Sequence, residues 1–379
     1  MAARNNKGTA RFPIAVEPAP QQEPDPASLY AALDLGTNSC RMLVAQPFGS
    51  QFHVVDSFSK SVQLGRGLEQ HGSLSRASIN RTISALKVCR KKLEHHKVER
   101  MRLVATEACR RASNGHEFMS RVTGETGLKL EIIHPAEEAR LAVISCAPLV
   151  SRHTEQLLVV DIGGGSTELV WIDLTKVAPL ERACAIMRLK QGLKRGGRPG
   201  PTGSPFPAAE VVDWISVPLG VATLKDQFSD VADDSARFAL MSCHFEELIA
   251  DFSPYRSAGV PKIDPGFQII GTSGTVTTVA ASHLGLNRYD RKKVDGLRMN
   301  SAQIDTVINE YLRMGEDGRR RDPRIGRDRQ ALILSGVAIL QTLMRIWPTD
   351  RLSVADRGLR EGLLYAQMSG DGVLEDGPI

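Results

Sequence analysis

Two short segments of this chain align position for position, and this repeat constrains the fold more than any other feature. Residues 34–39 read DLGTNS and residues 161–166 read DIGGGS. Each segment follows a run of apolar residues and leads into another, which is the pattern of a strand, a tight turn and a second strand. We therefore predict an internal duplication in which each half begins with a β-hairpin.

The residues around the two hairpins indicate an α/β protein. In the first half, strands and helices are expected in the order β-β-β-α-β-α-β-α. The pattern restarts after residue 151, with strands at 157–161 and 168–172 and a third extended stretch near Ile186. Such an alternation predicts mixed sheets with helices packed outside them.

These patterns define the predicted domains. A first domain is expected at residues 28–150 and a second at residues 151–355, each a mixed sheet flanked by helices. Residues 356–379 are expected to form a C-terminal helix that packs back on the first domain. The stretch 192–207 is rich in glycine and proline and is expected to be a loop or insertion.

The composition is typical of a globular protein, since 42% of the 379 residues are hydrophobic and 24% are charged. Residues 1–27 are rich in proline, glutamine and glutamate and lack a signal peptide's apolar stretch, so we expect a disordered tail. No run approaches the roughly 20 apolar residues that span a bilayer, so no membrane association is expected. The cysteines are scattered, which indicates a reducing cytoplasm and argues against a His/Cys metal site.

Two basic runs contribute to the net charge of +5, one at residues 188–198 and one at residues 319–329. Runs of this kind either form solvated surface or attract polyanions. Aromatic residues make up only 5% of the chain and do not alternate with the basic residues. No nucleic-acid partner is therefore expected.

Three glycine-bearing turns indicate a phosphate site. They are the two repeats and the segment GTSGT at residues 271–275. Glycine lets backbone N–H groups approach an anion closely, and nearby hydroxyl groups add donors. Each turn alone could be purely structural, but three such turns, two of them beside carboxylates, suggest a divalent cation between acid and phosphate.

Six motifs occur along the chain in a fixed order: DxGTNSxR, ATEAxRRA, EEARL, VVDIGGGSTELV, GTSGT and SxxDxGLREGLL. In this order they resemble the exopolyphosphatase/guanosine pentaphosphate phosphohydrolase family of the actin-like ATPase superfamily. The resemblance extends from about residue 29 to residue 365 and is to the short, two-domain form. It implies two ribonuclease-H-like domains with the active site in the cleft between them.

The resemblance also implies roles for individual residues. Glu138 would be the catalytic base, and Glu168 would support the metal ion or the attacking water. Asp161 would hold magnesium, with manganese as an alternative, and Asp34 could hold a second metal ion or a water. Arg110 would contact phosphate. The other phosphate-binding residues would be Thr37, Asn38, Ser39, Cys40, Arg41, Gly163, Gly164, Gly165, Ser166, Thr167, Gly274 and Thr275.

Two of these assignments, Glu138 and Arg41, have alternatives in the residues themselves. Glu138 could be an ordinary first-turn helix acid that interacts with the helix dipole. Glu137 is its neighbour, and because adjacent helical residues point about 100° apart, only one of the two can face the cleft. Arg41 could form an outward salt bridge instead of binding phosphate.

The function that these features favour is magnesium-dependent hydrolysis of the terminal phosphate of inorganic polyphosphate, in the cytoplasm and by a homodimer. The alternative is 5′-phosphohydrolysis of guanosine pentaphosphate (pppGpp), a stringent-response nucleotide. An ATP-dependent kinase or ATPase of the same superfamily, and a polyphosphate-binding protein without catalysis, are less favoured. We also expect one of the two basic runs to line the path of the distal polyphosphate chain.

Overall fold

The computed structural model of the chain describes residues 29–189, 209–259 and 262–374. The predicted tail at residues 1–27 and the predicted loop at residues 192–207 lie outside the described residues. Within the described ranges, no helix has both the length and the apolar character needed to cross a membrane.

The first domain is built on a five-stranded mixed sheet. Its strands are β1 (Tyr30–Leu35), β2 (Ser39–Phe48), β3 (Gln51–Ser61), β4 (Arg100–Ala105) and β5 (Glu131–Ile132). They lie in the order β3-β2-β1-β4-β5. Strands β1, β2 and β3 form an antiparallel meander, whereas β1, β4 and β5 are parallel. The helices of this domain are α1 (Leu68–His71), α2 (Arg76–His95), α3 (Glu107–Arg111), α4 (Gly115–Thr126) and α5 (Pro135–Cys146).

The second domain repeats this arrangement in a six-stranded sheet. Its strands are β6 (Gln156–Ile162), β7 (Thr167–Asp173), β8 (Glu210–Val217), β9 (Phe267–Thr272), β10 (Arg298–Met299) and β11 (Leu352–Ala355). They lie in the order β10-β11-β9-β6-β7-β8. Strands β6, β7 and β8 form the antiparallel meander, and β6, β9 and β11 are parallel. Apart from β10, the strand order is therefore the same in both domains, and the predicted fold class is confirmed.

The helices of the second half cover this sheet. They are α6 (Arg182–Met187), α7 (Val221–Gln227), α8 (Asp234–Leu248), α9 (Ser253–Arg256), α10 (Gly274–His283), α11 (Arg291–Val294), α12 (Ser301–Arg321) and α13 (Ile333–Ile346). The prediction of a third extended stretch near Ile186 is wrong, because Ile186 is fully buried within helix α6. The third strand is β8. A short apolar segment does not distinguish a strand from a buried helix by its periodicity.

The last helix, α14 (Leu359–Gly370), returns to the first domain. Leu363 and Leu364 are fully buried in one apolar cluster with Tyr30 of β1 and Leu141 of α5. A β-carbon on Gly362 would overlap the carbonyl group of Leu141, so glycine allows α14 to lie directly against α5. The opposite side of α5 packs in a cluster with β6 and β7 of the second domain. Helix α5 therefore contacts both halves of the protein.

Candidate active site

Both hairpins place acidic residues at the ends of their strands. Asp34 in β1 lies opposite Arg41 in β2. Asp161 in β6 lies opposite Glu168 in β7 and beside Thr272, the last residue of the parallel strand β9. The carboxyl ends of parallel strands are where open α/β sheets place their ligand sites.

The first of the three consecutive glycines closes the turn of the second hairpin. The Gly163 N–H group donates to the Ser166 carbonyl at 2.9 Å. A β-carbon on Gly163 would lie 2.8 Å from that carbonyl oxygen. A fourth glycine, Gly220, packs behind the turn, where its own β-carbon would lie 2.5 Å from the Gly163 carbonyl oxygen. Only residues without side chains fit at these two positions.

The other two glycines face the turn of the first hairpin. A β-carbon on Gly164 would lie 3.3 Å from the β-carbons of Thr37 and Asn38. A β-carbon on Gly165 would overlap the hydroxyl oxygen of Thr37. The two repeats therefore meet across the cleft between the domains, and the glycines are needed because the turns touch.

A cavity of about 250 Å³ lies where the turns meet. Most of the residues that the sequence identified line it. They are Asp34, Thr37, Asn38, Ser39, Arg41, Glu138, Asp161, Gly163, Gly164, Gly165, Ser166, Glu168, Gly274 and Thr275. In the part of the chain that the structure describes, no ion pair is recorded for Arg41, which faces the cavity.

Three of the predicted residues do not line the cavity. The Cys40 thiol is fully buried in the core of the first domain, where a hydrogen bond with Cys89 and burial raise its pKa. Thr167 is fully buried, and its hydroxyl donates to the Leu219 carbonyl at 2.8 Å. Arg110 lies behind Glu138 and donates to its carboxylate at 2.8 Å.

Glu138 and Glu137 face different surroundings, although both lie in the first turn of α5. The helix begins with Pro135 and is capped by His134, whose Nδ1 accepts from the Ala136 N–H at 3.2 Å. Glu138 is buried and lines the cavity. Glu137 instead forms ion pairs with Arg102 and Arg140, at 2.9 and 2.7 Å. The structure thus places Glu138, not Glu137, in the cleft.

Four of the carboxyl groups that line this cavity have a raised pKa. Burial raises the pKa of Glu138 to about 7; Arg110 opposes this shift, and Asp34 and Asp161 add to it. Burial and the neighbouring Asp34 raise the pKa of Asp161 to about 6, against the effect of Arg41.

The remaining two carboxyl groups follow the same trend. Burial, with the charges of Glu138 and Asp161, raises the pKa of Glu168 well above its usual range, although Ser216 donates a hydrogen bond to it. The pKa of Asp34 is raised by burial and lowered in part by Arg41. Four mutually repelling acids in one cavity form a site that favours a bound cation.

This set of donors fits magnesium held jointly with a substrate. Across residues 29–189, 209–259 and 262–374, no three His, Cys, Asp or Glu side chains cluster closely enough to bind an ion alone. Magnesium commonly takes only one or two protein carboxylates and completes its shell with water and phosphate oxygens. Asp161 and Asp34, the predicted ligands, both line the cavity.

Several cavity residues were missed by the sequence reasoning. Arg329 packs against Gly274 and donates to Thr277 and Thr278 at 3.3 and 3.4 Å. Burial and the nearby Arg41 lower the pKa of Arg329 to about 10. The sequence did contain signals for some of these residues. Arg329 is the last residue of the second basic run, and Glu107 and Asp356 belong to two of the six motifs. The further lining residues with polar side chains are Ser59, Ser61, Thr106, Glu107, Thr272, Ser273, Asp328, Asp356, Arg357 and Arg360.

Apart from Asp328 and Arg329, the second basic run does not line the cavity. Arg319 is buried and pairs with Asp234 at 2.7 Å. Arg320 pairs with Glu316, and Arg324 pairs with Glu310. These three arginines therefore form ion pairs within helix α12, or between α12 and the neighbouring helix or loop. Arg188 and Leu189 are the only described residues of the first basic run.

The duplicated sheets define a two-domain α/β protein with an acid-lined candidate site in the cleft between its domains. A sequence model of the Ppx/GppA phosphatase family matches residues 43–370, and the chain belongs to that family. Its members are phosphatases.

Solved structures agree with this result. The chain is similar to the crystal structure of the Ppx/GppA family member of Aquifex aeolicus, with 29% identity, a TM-score of 0.68, and coverage of 91% of this chain and 98% of the other. It is also similar to an exopolyphosphatase-like protein, with 25% identity, a TM-score of 0.73, and coverage of 91% and 100%. An exopolyphosphatase from Cytophaga hutchinsonii, at 21% identity, a TM-score of 0.73, and coverage of 90% and 98%, has the same fold.

Proposed function

We propose that this protein is an exopolyphosphatase that hydrolyses the terminal phosphate of inorganic polyphosphate. The observation that carries the proposal is the convergence of Glu138, Asp161 and the two glycine turns in one cavity. Similarity to an exopolyphosphatase-like structure at 25% identity supports it.

The two turns would bind the terminal phosphoryl groups. Their backbone N–H groups suit an anion, and Thr37, Ser39 and Ser166 add hydroxyl donors to the same cavity. Arg41 faces this space from β2 and would offset phosphate charge. Holding the reacting groups in line is the main contribution of a protein to phosphoryl transfer.

Glu138 would orient the attacking water and accept its proton. A pKa of about 7 keeps a large fraction of this carboxyl ionised at neutral pH while leaving it basic enough to take a proton. The ion pair with Arg110 fixes one carboxylate oxygen. Glu168, which accepts from the Ser216 hydroxyl at 2.8 Å, would support the ion or the water.

Asp161 and Asp34 would hold a magnesium ion, or manganese in its place. Bound there, such an ion supplies positive charge to the phosphate oxygens and to the leaving group. Without it, the carboxylates of the cavity would repel the substrate.

Polyphosphate suits this cavity better than pppGpp. The cavity is small, about 250 Å³, and its lining as described contains no Phe, Tyr or Trp ring on which a guanine base could stack. The homodimer and the cytoplasmic location stay predictions.

The test is phosphate release from long-chain polyphosphate and, in parallel, from pppGpp, with magnesium present. The Glu138→Gln variant should lose at least about 100-fold in kcat, as expected for a general base. The Glu137→Gln variant is the matched control and should keep the wild-type kcat, since Glu137 pairs with Arg102 and Arg140. Undiminished turnover by Glu138→Gln would contradict the mechanism, and faster release from pppGpp would favour the alternative substrate.

A further inference from the structure

Glu107 is a buried acid in the same cavity for which the proposed reaction has no use. It begins helix α3, is 7% exposed and lines the cleft. A β-carbon on Gly165 would lie 3.2 Å from Glu107 Cγ, so this side chain lies next to the second glycine turn. An acid so close to a phosphate site would repel substrate unless its charge is taken up elsewhere.

Arg110 takes up that charge. Its Nε and Nη2 groups both donate to Glu107 Oε2, at 3.2 and 2.9 Å. Residues three apart on a helix lie on one face, so α3 holds the two side chains together. These two hydrogen bonds engage one edge of the planar guanidinium group and thereby fix the orientation of its plane.

The other edge of the same guanidinium group holds Glu138. The Arg110 Nη1 group donates to Glu138 Oε2 at 2.8 Å and to the Ile133 carbonyl at 2.8 Å. Of the five N–H groups of an arginine, four are therefore engaged within the protein. Arg110 itself does not line the cavity. This geometry suits an internal support better than a phosphate ligand.

We propose that Glu107 is a positioning residue that acts through Arg110 to hold the Glu138 carboxylate in its reactive orientation. The inference rests on the proposed function, because it assigns Glu107 to the support of that reaction's base. Removing Glu107 frees one edge of the guanidinium group, so the plane of Arg110 is no longer fixed. The Glu138 oxygen that Arg110 holds then loses its defined position. The substrate-binding turns keep their own donors.

The test separates kcat from KM. Glu107→Ala should lower kcat by about 10- to 100-fold, the usual effect of removing a support behind a reactive group, with KM for polyphosphate changed less than about threefold. Glu107→Gln keeps one acceptor for the guanidinium edge and should restore much of the kcat. If Arg110 were instead a phosphate ligand, the Glu107→Ala variant would mainly change KM, which would overturn the proposal.

The matched control is Glu69→Ala. Glu69 pairs with Arg111, the residue next to Arg110 on the same helix, but does not line the cavity. Arg111 lies 3.8 Å from the other carboxylate oxygen of Glu107, so this variant also measures any contribution of Arg111. It should keep the wild-type kcat, and thermal melting of all variants should show a folded protein. A kcat loss in Glu69→Ala equal to that in Glu107→Ala would show a general effect of helix α3 and overturn the specific role.

A double-mutant cycle tests the route through Glu138. If Glu107 acts only through that base, the Glu107→Ala/Glu138→Gln variant should be no slower than Glu138→Gln alone. A further loss of tenfold or more in the double variant would overturn the inference. Full turnover by the single Glu138→Gln variant would instead overturn the proposed mechanism. Loss in Glu138→Gln with full kcat in Glu107→Ala would overturn the positioning role alone.

Discussion

Thr37 of the first domain and Gly165 of the second are in such close contact that a β-carbon on Gly165 would overlap the Thr37 hydroxyl oxygen. The two residues belong to the two copies of the repeated hairpin. Their contact joins the two halves of the proposed phosphate site, so the relative position of the domains and the geometry of the site are set by the same atoms.

Gly165→Ala should separate the two turns. We expect a destabilisation of about 1–3 kcal/mol from overpacking and a loss of polyphosphatase kcat/KM of at least tenfold, because the donors of the two turns no longer converge. Gly124→Ala is the control. Gly124 lies in helix α4 with no atom within 4 Å of its would-be β-carbon, so alanine there should stabilise the protein by about 0.5–1 kcal/mol. Equal kcat/KM in both variants would contradict the prediction.

The pH dependence of kcat/KM should follow the ionisation of Glu138. Its pKa is raised to about 7, and only the ionised carboxylate can accept a proton, so the rate should rise as the pH increases through about 7 and then level off. Assays at fixed free magnesium from pH 5.5 to 9 measure this limb. The rise of kcat/KM with pH should persist in Glu137→Gln and disappear in Glu138→Gln. The same rise in both variants would indicate that another group titrates, such as the substrate's terminal phosphate.

Asp161→Asn should stabilise the metal-free protein at neutral and alkaline pH. The folded pKa of Asp161, about 6, lies above the usual range of an aspartate. A carboxyl with a raised folded pKa is destabilising once it ionises, so the cost develops between about pH 4 and pH 6 and is constant above. Two pKa units correspond to at most roughly 3 kcal/mol. Melting in a chelator should show a difference in Tm of several degrees at pH 8 and almost none at pH 4.

Magnesium should stabilise the wild type more than the Asp161→Asn variant. An ion that binds the folded state raises its stability by mass action, and Asp161 is one of the two proposed ligands. Millimolar magnesium should therefore raise the Tm of the wild type more than that of Asp161→Asn. Equal shifts in the two proteins would place the ion elsewhere.

Arg329→Gln should raise KM for polyphosphate by about tenfold, because Arg329 is the arginine of its basic run that lines the cavity. Losing one charge-assisted contact to phosphate costs about 1.5–3 kcal/mol. Arg320→Gln is the control, since Arg320 pairs with Glu316 at 2.5 Å, and it should leave KM unchanged. An increase in KM in both variants would favour a general effect of surface charge.

Local sequence patterns were sufficient for much of the fold. The apolar runs on either side of each Asp-x-Gly turn predicted both hairpins, β1–β2 and β6–β7. The segment around Ile186 was predicted wrongly, because a short buried helix and a short buried strand have the same apolar composition. Strand β10, with only two residues, carries no detectable period.

The sequence by itself determined which chemistry is present: glycine turns, hydroxyl groups and acids in an order that matches one family. Only the tertiary structure decided which of them share a cavity. It brought Glu138 into the cleft, placed Cys40 and Thr167 in the core and Arg110 behind Glu138, and added Glu107 and Arg329 to the cavity. The physical reason is that a backbone turn can be recognised from a few adjacent residues. The direction in which a side chain points instead depends on how α3, α5 and the two sheets pack together. That packing consists of contacts between residues far apart in the chain.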